Sequence, residues 1–445
     1  MQQQKQKFFY GWWVVLALML VTGTSLALVV STFNIYLNPV SEALGISKTQ
    51  FALCSTIINL AVLVAAPKLG GWLQQNTRKV LLLCLFGFYA AYAAFAWVNS
   101  LAALYVVAAV FGLFSAGSTV VPTSILVNRW FVARKGLAMS IALSGSALTG
   151  MVLAKSISYF IQNQGYGVAY QTIAACSLIF SVLLIVLIIR NRPEDKGLKA
   201  LGADDVDAAS PNSARSHLAL VTLSPQELRN KPFHWAMLVG AFLAGLVGGG
   251  IVMQLPVFLQ DTFDSDSAKL SSTLLATSLG MMIFAKILLG WLYDRIGTKR
   301  ATIVVTASII ATCVPFFLIH LLPNMAWQLG LVGVVCWGLG NCVGTVTPSV
   351  MASKTYGNEY YGQIYGNLHR TQYLGIGLGA PLIAKLVDLN HGSWSVVWVG
   401  ASVLIVLMLA VYMYAIKASQ PYRQTAPTTE QAEQRTSGLN AAAAK

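Results

Sequence analysis

The chain has 445 residues, 56% of them hydrophobic and only 10% charged, with a formal net charge of +14 and a mean hydropathy of +0.66. A soluble domain typically carries about 25% charged residues, and apolar blocks of about 20 residues are what a bilayer core roughly 30 Å thick demands of each helix. A soluble globular fold is excluded, and the blocks read as helices, because β-barrel strands would be shorter and strictly alternating.

The N-terminus carries Lys5 and Lys7 and then a long apolar run from Gly11. The run is too long for a signal peptide and lacks a small-residue cleavage site, so a retained first span is expected. The blocks place twelve spans at 11–37, 50–73, 80–99, 102–127, 137–161, 168–189, 234–260, 270–293, 301–322, 325–352, 363–387 and 394–416. The expected fold is an all-α membrane protein: twelve transmembrane helices in two pseudo-symmetric six-helix bundles, 1–189 and 232–418. The stretch 190–231, with Asp204, Asp205, Asp207, Ser210 and Pro211, cannot build a buried core and reads as a cytoplasmic linker. Within it, Ser224-Pro225-Gln226-Glu227 has the form of a capping box, which predicts a short surface helix. The polar tail 419–445 is expected to be mobile.

Placing the N-terminus inside puts 22 of the 29 Lys and Arg residues on cytoplasmic segments, whereas the outer loops receive only Lys48 and Lys269. The positive-inside rule therefore predicts a multi-pass inner-membrane protein with both termini cytoplasmic. This placement of charge speaks against nucleic acid as a partner. No phosphate loop, zinc spacing or RNA-binding aromatic box interrupts the helices. The six cysteines lie inside apolar blocks without a CxxC pair, as packing residues do. No metal or cofactor is expected.

The halves repeat. Gly112-Leu113, Thr119-Val120 and Pro122 in the fourth span match Gly338-Leu339, Thr345-Val346 and Pro348 in the tenth, and Gly136 matches Gly362, all at an offset of 226. Gly71-Trp72-Leu73 recurs as Gly290-Trp291-Leu292 at an offset of 219. Parallel repeats about an axis normal to the membrane predict a substrate site near the midplane between halves.

The segment Gly290-Trp291-Leu292-Tyr293-Asp294-Arg295-Ile296-Gly297-Thr298-Lys299-Arg300 resembles the cytoplasmic loop motif of the major facilitator superfamily. Asp294 is suited to pair with nearby basic groups and Gly297 to turn tightly, while Lys299 and Arg300 face anionic headgroups; Arg295 completes the gating motif. Making and breaking such pairs would gate the transporter. In the first copy Gln75 stands where the acid would be, so charge gating is expected to rest on the second. Phe9-Tyr10-Gly11-Trp12-Trp13 and Asn128-Arg129-Trp130-Phe131, followed by Arg134-Lys135-Gly136, are similar to the monocarboxylate and oxalate/formate transporter branch. That resemblance implies an alternating-access carrier whose eighth span holds a cation for the substrate carboxylate; Lys286 stands at that position. Lysine keeps the charge but loses the bidentate fork of arginine. Met282 replaces the acid that some members use for proton coupling.

Charges within the spans sharpen the expectation. Lys155, Lys286 and Arg370 fall inside spans, His369 adjoins Arg370, and no Asp or Glu lies at comparable depth. A charge in the bilayer costs several kcal/mol on most scales, and a substrate carboxylate would offset it. Snorkelling of Lys155 and Arg370, and simple packing for His369, are the plainer readings. Asn34, Tyr36, Asn341, Tyr365 and Tyr373 are weaker substrate-binding candidates, with interhelical hydrogen bonding the alternative. The expected function is secondary transport of small organic anions, foremost monocarboxylates, by a monomer. Protons are a candidate coupling ion. Dicarboxylates or phosphorylated anions, and a membrane sensor with a transporter-like body, are the rivals.

Overall fold

The computed structural model describes residues 9–203, 220–221, 223–263, 268–344, 346–357 and 359–424. The expected twelve-span, two-half helical fold is what the chain adopts. Spans 1 to 6 are Gly11–Val30, Lys48–Gln75, Thr77–Trp97, Leu101–Trp130, Lys135–Gln164 and Tyr166–Leu187; spans 7 to 9 are Pro232–Phe263, Ala268–Arg295 and Gly297–Leu321, and span 12 is Ser395–Ser419. Two spans are less apolar or less regular. Span 10 is built from Ala326–Gly340, a 3-10 turn at Asn341–Gly344 and Val346–Thr355. Span 11, Tyr361–Leu389, carries Gln363, Asn367, His369, Arg370 and Gln372.

The first span is shorter than the expected 11–37. It ends at Val30, and a 3-10 turn at Phe33–Tyr36 leads into a separate helix, Leu37–Leu44. Gly45, at φ +62°, closes that helix in the left-handed region glycine tolerates. Ser47 and Gln50 then open span 2 with a reciprocal capping box, at 2.8 and 3.1 Å.

Small residues set the packing, as they do where lipid supplies no hydrophobic drive between helices. A side chain at Gly112 would meet the Ile58 carbonyl of span 2, and one at Gly338 the Ser278 carbonyl of span 8. The repeated glycines thus seat span 4 on span 2 and span 10 on span 8. Span 1 meets span 5 through Gly23 and Gly145, and span 7 meets span 11 through Gly245 and Gly375.

The segment between halves is tied to both. Val132 and Ala133 each donate to the Leu201 carbonyl at 2.9 Å, and Gly357 donates to the Val221 carbonyl at 2.9 Å. The Ser224 capping box forms, and its helix, Pro225–Leu228, is one turn long. Leu220 and Val221 pair antiparallel with Gln424 and Arg423. Residues 423 and 424, which composition assigns to a mobile tail, are therefore held against the linker; 425–445 lie outside the described residues. Both described ends sit on one face of the molecule, called here the terminal side.

Candidate functional site

On the terminal side the halves close through two seams, span 2 against span 11 and span 5 against span 8. Both need glycine. A side chain at Gly70 would collide with the Gly362 carbonyl, and one at Gly290 with the Gly136 carbonyl.

A polar cap sits at the end of each seam. The Asp294 carboxylate accepts from the Gly136 and Leu137 amides at 2.9 and 2.8 Å, at the exposed N–H groups that open span 5. Gln74 Oε1 accepts from the Gly362 amide at 3.0 Å, at the opening of span 11. The pairs Gly70/Gly290 and Gln74/Asp294 are thus equivalent at an offset of 220. The 219 offset read from Gly71-Trp72-Leu73 is one residue out, and Gln74 rather than Gln75 stands for the acid. Geometry across the seam, invisible in the sequence repeat, decides this.

Asp294 does pair with a base, but with Lys354 at 3.1 Å; Lys354 also donates to the Tyr293 carbonyl at 2.7 Å. Of the other basic residues of the motif, Arg295 lies over the Trp291 ring at 5.0 Å, and Lys299 and Arg300 are exposed. Gly297, at φ +81°, makes the turn into span 9.

Beyond the seams, spans 1, 2, 4, 7, 10 and 11 enclose a cavity of about 110 Å³ between the halves. Its wall is mostly apolar, with Leu26, Val29, Ile58, Val252 and Ile376 among its lining. Six residues bring polar groups to it: Ser55, Asn59, Asn341, His369, Gln372 and Tyr373. His369, Gln372 and Tyr373 share one face of span 11 through their i, i+3, i+4 spacing. His369 is 2% exposed, and neither ring nitrogen makes a well-formed hydrogen bond, although the Gln372 side chain stands beside it. Gln372 itself donates to the Gly344 carbonyl, and Asn341 Nδ2 lies 2.9 Å from Met282 Sδ. Tyr373 packs with Val62, Ala66 and Ala116 into a small apolar cluster that joins the halves beside the cavity.

The sequence candidates divide accordingly. Asn341, His369 and Tyr373 line the cavity; Tyr365 is buried behind it, stacked between Tyr361 and His369. Lys286 is 2% exposed and lies in the span 5 to span 8 seam, one turn on from Met282, donating to the Leu143 carbonyl at 3.2 Å and to Ser146 Oγ at 3.1 Å. It does not line the cavity. Tyr36 does not line the cavity: it takes a bond from the Tyr92 hydroxyl at 3.0 Å and stacks on Tyr170 at 3.8 Å inside the first half. Asn34, Lys155 and Arg370 are exposed and away from the cavity. The expected cluster of cations at the midplane therefore does not assemble. Helical phase separates them, since adjacent residues such as His369 and Arg370 point about 100° apart.

Ser55, Asn59 and Gln372 escaped the sequence reading. The available signal was polarity deep in otherwise apolar spans, with Gln372 three residues after His369. Among the described residues lining the cavity, none is Lys, Arg, Asp or Glu.

A family model described as Major Facilitator Superfamily matches residues 15–380. Among curated proteins, the chain is 22% identical over 280 residues to the MFS-type transporter pynF of Aspergillus niger, across 61% of this chain; the match spans only 57% of that relative's length. It is 22% identical over 423 residues to monocarboxylate transporter 2 of Mus musculus, across 91% of this chain and 83% of the relative. Among solved structures, the proton:xylose symporter XylE shares the fold at a TM-score of 0.70 and 13% identity, covering 92% of this chain and 95% of that one. The human organic anion transporter MFSD10 does so at 0.62 and 17%, covering 92% and 99%.

Proposed function

The chain belongs to the major facilitator superfamily, a family of membrane transporters, and from that premise we propose that it carries small organic anions of the monocarboxylate class by alternating access. The observation that carries the reading is Lys286, a cation buried across the seam that must part for the terminal side to open. Its bonds to the Leu143 carbonyl and to Ser146 Oγ both reach into the other half.

In the proposed cycle a solute enters the cavity from the face opposite the termini. It meets the donors Asn59, Asn341 and His369 in an apolar chamber. Its carboxylate then competes for Lys286 with the bonds that hold span 5 to span 8. An anion matched to a buried cation offsets the cost of its desolvation, so the loaded carrier opens its terminal side more readily than the empty one. The apolar wall suits the hydrocarbon body of such an acid, and the similarity to a monocarboxylate transporter agrees with it. The dianion reading loses its motive, because Arg370 and Lys155 stand apart from Lys286.

We place the terminal side in the cytoplasm of an inner-membrane protein, on the charge asymmetry of the loops, and take one chain as the working unit. Bundles 1–189 and 232–418 rock about the cavity in this scheme, with 190–231 as their connection. His369 is the titratable group that meets the solute, which makes it the residue to examine for proton coupling.

A second reading has one observation in its favour: the cavity wall itself is uncharged among the described residues, which suits a neutral amphipathic solute. Uptake of labelled short-chain monocarboxylates into proteoliposomes, wild type against Lys286→Ala, separates the two. The proposal expects carboxylate flux that falls at least tenfold in the variant. Undiminished carboxylate flux in Lys286→Ala removes the role of Lys286. Wild-type transport of neutral solutes alone overturns the substrate class.

A further inference from the structure

Arg370 stands on the outer flank of span 11, where it continues an exposed stripe of Leu374, Leu378 and Leu382. Residues four apart share a helix face, so the guanidinium belongs to the face turned to lipid. A charge there is costly unless it reaches water or an anion.

A groove of about 390 Å³ receives it, formed by the short helix Pro225–Leu228 and its end, the start of span 7, and span 11. Arg229 reaches the groove from the end of that helix, and Asn367 lies one turn before Arg370 on span 11. Trp235 is 54% exposed, and its Nε1–H donates to the Arg229 carbonyl at 2.8 Å, which fixes the arginine's backbone to span 7. An exposed tryptophan of this kind marks the headgroup level of a bilayer. His234 is committed elsewhere, its Nδ1 lying 2.9 Å from the Tyr356 hydroxyl. Among the described residues no acid lines the groove. Glu227, on the same short helix, is engaged by the Ser224 amide at 2.7 Å and the Ser224 hydroxyl at 2.8 Å.

The geometry points to a phosphate-binding site in this groove, outside the solute path, with Arg229 and Arg370 as the cations and the Asn367 amide as an added donor. Two arginines lining one open groove at headgroup level fit a phosphate better than they fit each other, since like charges repel until an anion neutralises them. The phosphate comes from an anionic phospholipid of the terminal-side leaflet or from solution. The site does not depend on which solute the central cavity carries.

Delipidated protein in detergent is titrated with phosphatidylglycerol, phosphatidylcholine or inorganic phosphate. Bound lipid is read by native mass spectrometry and phosphate binding by thermal shift. Phosphatidylglycerol is expected to be retained in preference to phosphatidylcholine. Its retention should fall about fivefold with each of Arg229→Gln and Arg370→Gln, at about 1 kcal/mol per cation. Arg370→Lys should restore most of the binding. Asn367→Asp, which puts a negative charge in the groove without removing an arginine, should also weaken it. A thermal shift with inorganic phosphate alone, lost in the same variants, assigns the site to free phosphate instead of lipid. Equal lipid retention by wild type and the arginine variants, with no phosphate shift that they abolish, overturns the proposal.

Discussion

Gln74 and Asp294 do the same work in opposite halves: each side chain accepts N–H groups from the first turn of the facing half's helix, Gln74 from Gly362 at 3.0 Å and Asp294 from Gly136 and Leu137 at 2.9 and 2.8 Å. One cap is neutral and the other ionised and paired with Lys354 at 3.1 Å. Charge-assisted bonds are about twice as strong as neutral ones, so the span 5 to span 8 seam is the firmer of the two.

Removing that charge should loosen the terminal side. Asp294→Asn keeps the shape but weakens two amide bonds and leaves Lys354 without its anion, at a cost of about 1–3 kcal/mol. Labelling of a cysteine placed at Ser140, in the seam, should speed up several-fold. Unchanged labelling would show that the cap does not hold the seam.

The converse substitution should stiffen the other seam. Gln74→Glu puts a carboxylate at the opening of span 11, worth about 0.3–1 kcal/mol beside a helix N-terminus. A higher melting temperature with slower solute turnover is expected, read by thermal shift and proteoliposome flux. Faster turnover contradicts the assignment.

Gly290→Ala tests the close approach itself. The new methyl meets the Gly136 carbonyl and Ser140 Oγ, at 2.5 Å from Ser140 Cβ, and overpacking of this kind costs about 1–3 kcal/mol. The variant should populate the state open to the terminal side, with faster seam labelling. Gly71→Ala, whose added carbon meets nothing, should label as wild type does.

Lys286→Met separates stability from transport. A buried charge replaced by an apolar group of similar volume is often neutral or stabilising by about 1–4 kcal/mol. The melting temperature should hold or rise while carboxylate flux is lost. Loss of both would recast Lys286 as a structural residue.

Outside the spans, the Glu227 carboxyl is held below its ordinary range by bonds from the Ser224 backbone and hydroxyl. A depressed carboxylate contributes above its unfolded pKa and loses that contribution as pH falls through the folded value. Amide-exchange protection of the capped turn Pro225–Leu228 should therefore fall on acidification below the ordinary glutamate range, and Glu227→Gln should remove that step. An acid step retained in Glu227→Gln assigns it to another group.

The twelve spans, the duplication and the short capped helix at Ser224 were legible in the sequence, because each follows from local rules. A helix in lipid must satisfy its own backbone over a fixed thickness, and a capping box acts within four residues. The direction in which a side chain leaves its helix, relative to the other eleven spans, is a property of packing alone. Neighbours His369 and Arg370 thereby part company, one into the cavity and the other to the lipid flank. Lys286 enters a seam instead of a pocket, and Lys354 reaches Asp294 from sixty residues away. The repeat was visible in its glycines, but its register of 220 through spans 2 and 8 emerged only where Gly70 meets Gly362 and Gly290 meets Gly136. Backbone contact across the halves, which no single helix encodes, sets that register.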